Sequence, residues 1–173
     1  MKIHLPPSLV ALLLASVLLG ACSPKYNWRD YASPDAPYKV TFPAKPASFT
    51  RSIDLDGLQV SMTMTAAEVD GATFAVGSAE APDEVRARAA LPAMMQALLR
   101  NIGADDKQGK FHADAGGKTT GDVDATGSTN GVPVRLVGHF EARGKRFYQV
   151  IVLGKANAVP PEQVEQFLTS FSL

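Results

Sequence analysis

The sequence predicts an α+β domain in which an antiparallel sheet lies between helices. Three observations carry that expectation. Short alternating segments flank two-residue turns at Asp56-Gly57, Asp70-Gly71 and Asn130-Gly131, the strongest local signal for a hairpin. Two stretches switch to helical period, Pro82–Ile102 and the segment after Pro160-Pro161. The last strand segments carry Val137, Val150 and Val152 on the face opposite their main apolar row. Both faces therefore need cover, and helices are expected on both sides.

The chain has 173 residues, with 17 basic and 17 acidic side chains. That length suits one domain, and the balanced charge excludes the basic footprint that nucleic acid or acidic lipid requires. Its one cysteine, Cys22, allows no intrachain disulfide, so the fold rests on its core.

Residues 1–21 read as a secretory leader. Lys2 stands near the start, an apolar run of 11 residues extends from Leu9 to Leu19, and Gly20-Ala21 precede the cysteine. The run is well short of the ~20 residues that span a bilayer as a helix. An ordinary cleaved leader before a free thiol is the plainer alternative. The motif Leu19-Gly20-Ala21-Cys22 resembles a bacterial lipobox. The resemblance implies that Cys22 takes a diacylglycerol before the leader is cut, and that three acyl chains finally hold the protein in the membrane. By the same resemblance, Ser23 after the cysteine directs sorting to the outer membrane, facing the periplasm. Loss of Lys2 with the leader leaves 16 basic against 17 acidic residues, a net charge of −1.

Residues 22–37 are then the acylated cysteine and a tether. Prolines at 24, 34 and 37 make it a poor helix or strand. Its Tyr26, Trp28 and Tyr31 are expected to dock on the domain edge; a strip for a partner is the alternative use for three rings. Residues 38–173 form the single domain.

Tyr38–Pro43 alternates and stops at proline, as a strand does. The Asp56-Gly57 turn pairs Leu55 with Leu58 and Ile53 with Val60. The Asp70-Gly71 turn sets Met62, Met64 and Ala66 beside Ala79, Gly77 and Ala75, small residues that would let a helix approach. The methionines read as core filler. In the following helix Leu91, Met95, Leu98 and Ile102 share one face, Asp83 and Glu84 meet the positive end of the dipole, and Gly103 ends it. Pro92 predicts a kink or break. The stretch Gly103–Gly117 holds at most a short strand around Lys110–His112, and Asp105, Asp106 and Asp114 lack calcium-loop spacing.

Near the C-terminus, Asn130-Gly131 pairs Gly127 with Val134, Ala125 with Leu136 and Val123 with Gly138. A turn at Arg143-Gly144 would pair Phe140 with Phe147, Gly138 with Gln149 and Leu136 with Ile151. Both registers put Val123, Ala125, Leu136, Phe140, Phe147, Ile151 and Leu153 on one face. The final helix presents Val164, Phe167, Leu168 and Phe171 on one stripe.

The segments Tyr38-Lys-Val-Thr-Phe42-Pro43 with Pro46, Arg146-Phe-Tyr148-Gln-Val and Phe167-Leu-Thr-Ser-Phe171 resemble bacterial domains of the PsbP-like α/β/α sandwich class. The resemblance covers most of 38–173 and rests on structural motifs. It implies an accessory, assembly or partner-binding protein rather than an enzyme, and it transfers no binding residue to this chain.

Chemistry is sparse. No HExxH, P-loop, GxSxG or paired-cysteine motif occurs, and neither metal nor cofactor is expected. His4 leaves with the leader, and His112 sits in the least patterned stretch. His139 is the one to weigh: the registers place it across from Asp122 on one strand and Tyr148 on the other, with Asp124, Arg135 and Glu141 on the same face. A histidine beside a carboxylate and a phenol is equipped for acid–base work; the same trio also makes an ordinary cross-strand ladder. The expectation is an envelope-anchored, non-enzymatic binding or assembly module, tied to the membrane through Cys22 and meeting an envelope protein partner. The alternatives are a small hydrolase-like enzyme using Asp122, His139 and Tyr148, and a purely structural lipoprotein.

Overall fold

The computed structural model describes residues 25–104, 110–158 and 160–173. The leader, Cys22, Asp105 and Asp106 lie outside the described residues.

Among the described residues nine strands and two helices follow one another as β1 (Arg29–Ala32), β2 (Lys39–Phe42), β3 (Ala47–Leu55), β4 (Leu58–Val69), β5 (Ala72–Glu80), α1 (Glu84–Asn101), β6 (Lys110–Ala113), β7 (Thr119–Thr129), β8 (Val132–Arg143), β9 (Arg146–Lys155) and α2 (Pro161–Ser170). Seven strands form one antiparallel sheet in the order β3-β4-β5-β9-β8-β7-β6, and β1 and β2 form a separate pair. Alternation along the strands divides the core. Leu55, Val60, Met62, Val123, Leu136, Phe140 and Ile151 face α1. Phe74, Val76, Tyr148, Val150 and Val152 face α2 and the β1–β2 pair. A helix thus lies on each face of an open antiparallel sheet.

Local chemistry sets the turns. Asp56-Gly57, Asp70-Gly71 and Asn130-Gly131 have positive φ at both central residues, the type I′ geometry whose twist matches that of the flanking strands. The expected pairs Ile53 with Val60, Leu55 with Leu58, Met64 with Gly77, Ala66 with Ala75, and Gly127 with Val134 are all present. The space over Gly77 is filled by the Met64 and Gln149 side chains rather than by a helix.

α1 is capped at both ends. Asp83 stands at the N-cap, its Oδ1 accepting from the Arg86 amide at 2.8 Å. At the C-terminus the Gly103 and Ala104 amides donate to Arg100 O at 3.0 Å and Leu99 O at 2.9 Å, a Schellman arrangement. Leu91, Met95 and Ile102 are buried as expected.

Three expectations are corrected. Pro92 does not break α1, which runs uninterrupted from Glu84 to Asn101; the proline is on the exposed face, where water can satisfy the carbonyl it leaves free. The tether contains a strand. Its prolines at 34 and 37 fall in the link from β1 to β2 rather than within the strand, and Tyr31 packs on Tyr38 and Phe42 with ring centroids 6.2 and 5.6 Å away. Tyr26 and Trp28 dock as expected, edge-on to Phe74.

The third correction concerns the β8–β9 register. Arg143 faces Arg146, so the turn is Gly144-Lys145, and Ala142, not Phe140, faces Phe147. Glycine at the first central position, with φ +58°, selects this turn. The two facing guanidiniums are tolerated because each has its own carboxylate, Arg143 at 3.3 Å from Glu141 and Arg146 at 3.1 Å from Glu80. A two-residue change of partner preserves face, so the expected apolar row remains intact.

Candidate functional site

The register correction reshapes the candidate trio. Asp122 faces His139 as expected, and the His139 Nδ1 hydrogen donates to Asp122 Oδ1 at 2.7 Å. Tyr148 does not join them. It faces Glu141, while Val150 faces His139. The Tyr148 ring is buried between Tyr38 and Phe171, 6.1 and 5.7 Å away.

What the structure gathers instead is a groove of about 310 Å3 between the β7–β8 surface and the end of α2, lined by Lys118, Asp122, His139, Glu141, Leu168, Thr169 and Phe171. Glu141 is its electrostatic centre. Only 5% of the residue is exposed, and burial of a carboxylate is costly without compensating charge. Lys118 Nζ lies 3.3 Å and His139 Nε2 3.6 Å from Oε2, and Arg143 Nη2 lies 3.3 Å from Oε1. Oε1 has this ion pair but no aligned hydrogen bond. Beside the groove Arg135 grips Asp124 through two bonds of 2.8 and 2.7 Å. That guanidinium holds the Asp124 carboxyl below its ordinary range.

The arrangement therefore consists of charges answering one another. His139 has one nitrogen on Asp122 and the other toward Glu141, and Thr169 turns its hydroxyl back to Glu165 O at 2.7 Å. Among the described residues no serine or cysteine lines the groove. A larger cleft of about 510 Å3 lies between the β3–β4 turn and the start of α1, with Asp56 and Arg86 as its charged residues. Among the described residues no cluster of three or more His, Cys, Asp or Glu is placed to hold a metal, and no helix is long and apolar enough to cross a membrane. His112 lies on the edge strand β6, opposite Thr120, and Asp114 folds its own loop, Oδ1 accepting from the Gly116 and Lys118 amides at 2.9 Å.

Sequence reasoning placed Glu141 on this face but missed Lys118, Arg143 and the contribution of α2. The signal for the first was available: extending the β7 ladder back from Asp122 brings Lys118 level with the end of β8.

Tyr148 and Tyr38 titrate above the usual phenol range, each chiefly because burial disfavours the phenolate. A folded-state value above the unfolded one means the unfolded chain binds fewer protons in that window, so stability is full below pH ~10 and falls as pH rises further. Ultraviolet difference titration should show two phenols ionising late, together with alkaline unfolding. Early, reversible ionisation of all four tyrosines would contradict the burial of this pair.

No protein-family model matches the chain, and no curated protein matches it in sequence.

Proposed function

We propose that the protein is a lipid-anchored bacterial envelope protein whose PsbP-like domain acts as a binding or assembly module rather than as an enzyme. The observation that carries this reading is the state of the His139 face: the groove there is bordered by the end of α2, and its charged groups are engaged with one another. A general base needs a free nitrogen or oxygen aimed at the substrate. The Leu19-Gly20-Ala21-Cys22 motif supports the anchor, and the helix on each face of the antiparallel sheet agrees with the fold the PsbP-like resemblance implies.

Two variants test it. Cys22→Ser should leave the precursor uncut or mislocalised, out of the detergent phase; a variant that still partitions there as mature protein defeats the anchor. His139→Ala removes one half-exposed hydrogen bond, at ~0.5–1.5 kcal/mol, and should complement a deletion strain fully. Loss of function in a His139→Ala protein that folds and localises normally would establish the enzyme reading instead, since removing a general base costs ~10²–10⁴ in rate. Crosslinking in the native envelope should capture a protein partner; its absence favours the purely structural role.

A further inference from the structure

The start of the described chain is held fast. Lys25 pairs with Asp70 in the β4–β5 turn. Tyr26 and Trp28 stack 6.0 Å apart and both meet the Phe74 ring edge-on. The Asn27 amide donates to Pro43 O at 2.8 Å. Cys22 precedes Lys25 by three residues, which reach at most ~11 Å even fully extended. By contrast β4 alone, 12 residues long, extends for about 40 Å at ~3.3 Å per residue. A leash that short, fixed at one end of a sheet that long, leaves only one end within reach of the attachment point.

We propose that the protein stands on the membrane in one orientation, with the end of the sheet formed by the β4–β5 turn, the β7–β8 turn and the close of β9 against the leaflet that holds its acyl chains. The inference rests on acylation of Cys22 and adds what the fold does with it. The ladder places these segments side by side: Val69 faces Ala72, Thr73 faces Leu153, Lys155 faces Val134, and Val132 faces Thr129. The β2–β3 link joins them through Pro43, which takes the Asn27 bond.

Charge at this end is nearly balanced, Lys25, Lys45 and Lys155 against Glu68 and Asp70. Attraction to anionic lipid is therefore too weak to orient the domain by itself, and the leash does the orienting. The consequence is directional. Glu141 lies nine residues along β8 from Val132, about 30 Å at strand rise, so the charged groove and the β8–β9 turn point away from the bilayer toward whatever approaches from the periplasm.

Because Cys22 is the one cysteine of the chain and is consumed by acylation, an introduced cysteine is the sole free thiol. Thr129→Cys marks the membrane end and Lys145→Cys the far end; both positions are exposed. Each acylated variant, labelled with a fluorophore, is reconstituted into phosphatidylcholine vesicles carrying a nitroxide on the headgroup. The label at 129 should be strongly quenched and the label at 145 should not. A flexible insert of 20 Gly/Ser residues after Ser23 reaches ~25 Å on average and should largely erase the difference. Protein that floats with the vesicles but quenches equally at both positions overturns the orientation while sparing the anchor. A difference that survives the insert overturns the leash as its cause. Failure to float removes the anchor and the inference together.

Discussion

Phe167→Ala should lower the stability of the domain by about 3–5 kcal/mol, the cost of truncating a fully buried aromatic ring, and lower its Tm by roughly 6–20 °C. The ring has no exposed surface, and its centroid lies 5.4 Å from those of both Phe42 and Phe74. It therefore ties α2 at once to the sheet and to the β1–β2 pair. Val164 and Phe167 are the two buried residues of α2, so one truncation removes most of its grip. A helix of 10 residues is below the ~12–15 needed for independent stability, and once undocked it should melt. Thermal unfolding followed at far ultraviolet wavelengths reads both effects; an unchanged Tm would show that α2 is not held through this ring.

The fold was legible where backbone chemistry is local. Three turns carry Asp or Asn before Gly, and each fixed the register of its hairpin, because few residue pairs accept positive φ twice in succession. At Arg143-Gly144-Lys145 the signal was weaker: a single glycine fits either of two adjacent turn positions, and alternation cannot choose between registers that differ by two. That ambiguity cost nothing in the core, since Phe140, Phe147 and Ile151 keep their face either way. It cost more at the surface, where the same two-residue change took Tyr148 from beside His139 and set Glu141 opposite it.

The groove was less legible for a different reason. Asp122 and His139 are neighbours within one ladder, which alternation predicts. Lys118 immediately precedes β7 and Arg143 closes β8, two residues after Glu141, whereas Leu168, Thr169 and Phe171 come from the end of a helix docked across the sheet. The first two were open to an extended ladder; the helix contacts depend on tertiary placement, and no spacing in the chain encodes them. β1 escaped for a similar reason: Arg29–Ala32 has little strand propensity, and its pairing with β2 is sustained by the rings of Tyr31, Tyr38 and Phe42, a tertiary contact that outweighs local preference.

Gly127→Ala should be nearly as damaging as the loss of the Phe167 ring, although it adds only one methyl group. In most strands that exchange is favourable, because glycine weakens a strand interior. Here the added Cβ would stand 2.0 Å from Ile102 O and 2.9 Å from Ile102 C, and backbone atoms cannot swing aside as a side chain can. The same Ile102 carbonyl accepts the Ser128 amide at 2.6 Å, joining the end of α1 to β7. Displacing it strains the Schellman turn at Gly103 and lifts the buried Ile102 side chain from the core. Overpacking of this kind costs ~1–3 kcal/mol and occasionally more, and with the backbone as obstacle the upper end is expected. Gly138→Ala supplies the comparison, since its Cβ would meet the Ile151 Cγ2 methyl at 3.0 Å, a side chain with some freedom to give. Urea unfolding should show a midpoint shift at Gly127→Ala clearly larger than at Gly138→Ala with the m-value unchanged, together with faster amide exchange in the last turn of α1. Equal midpoints for Gly127→Ala and the wild type would mean that α1 does not close against β7 through this glycine.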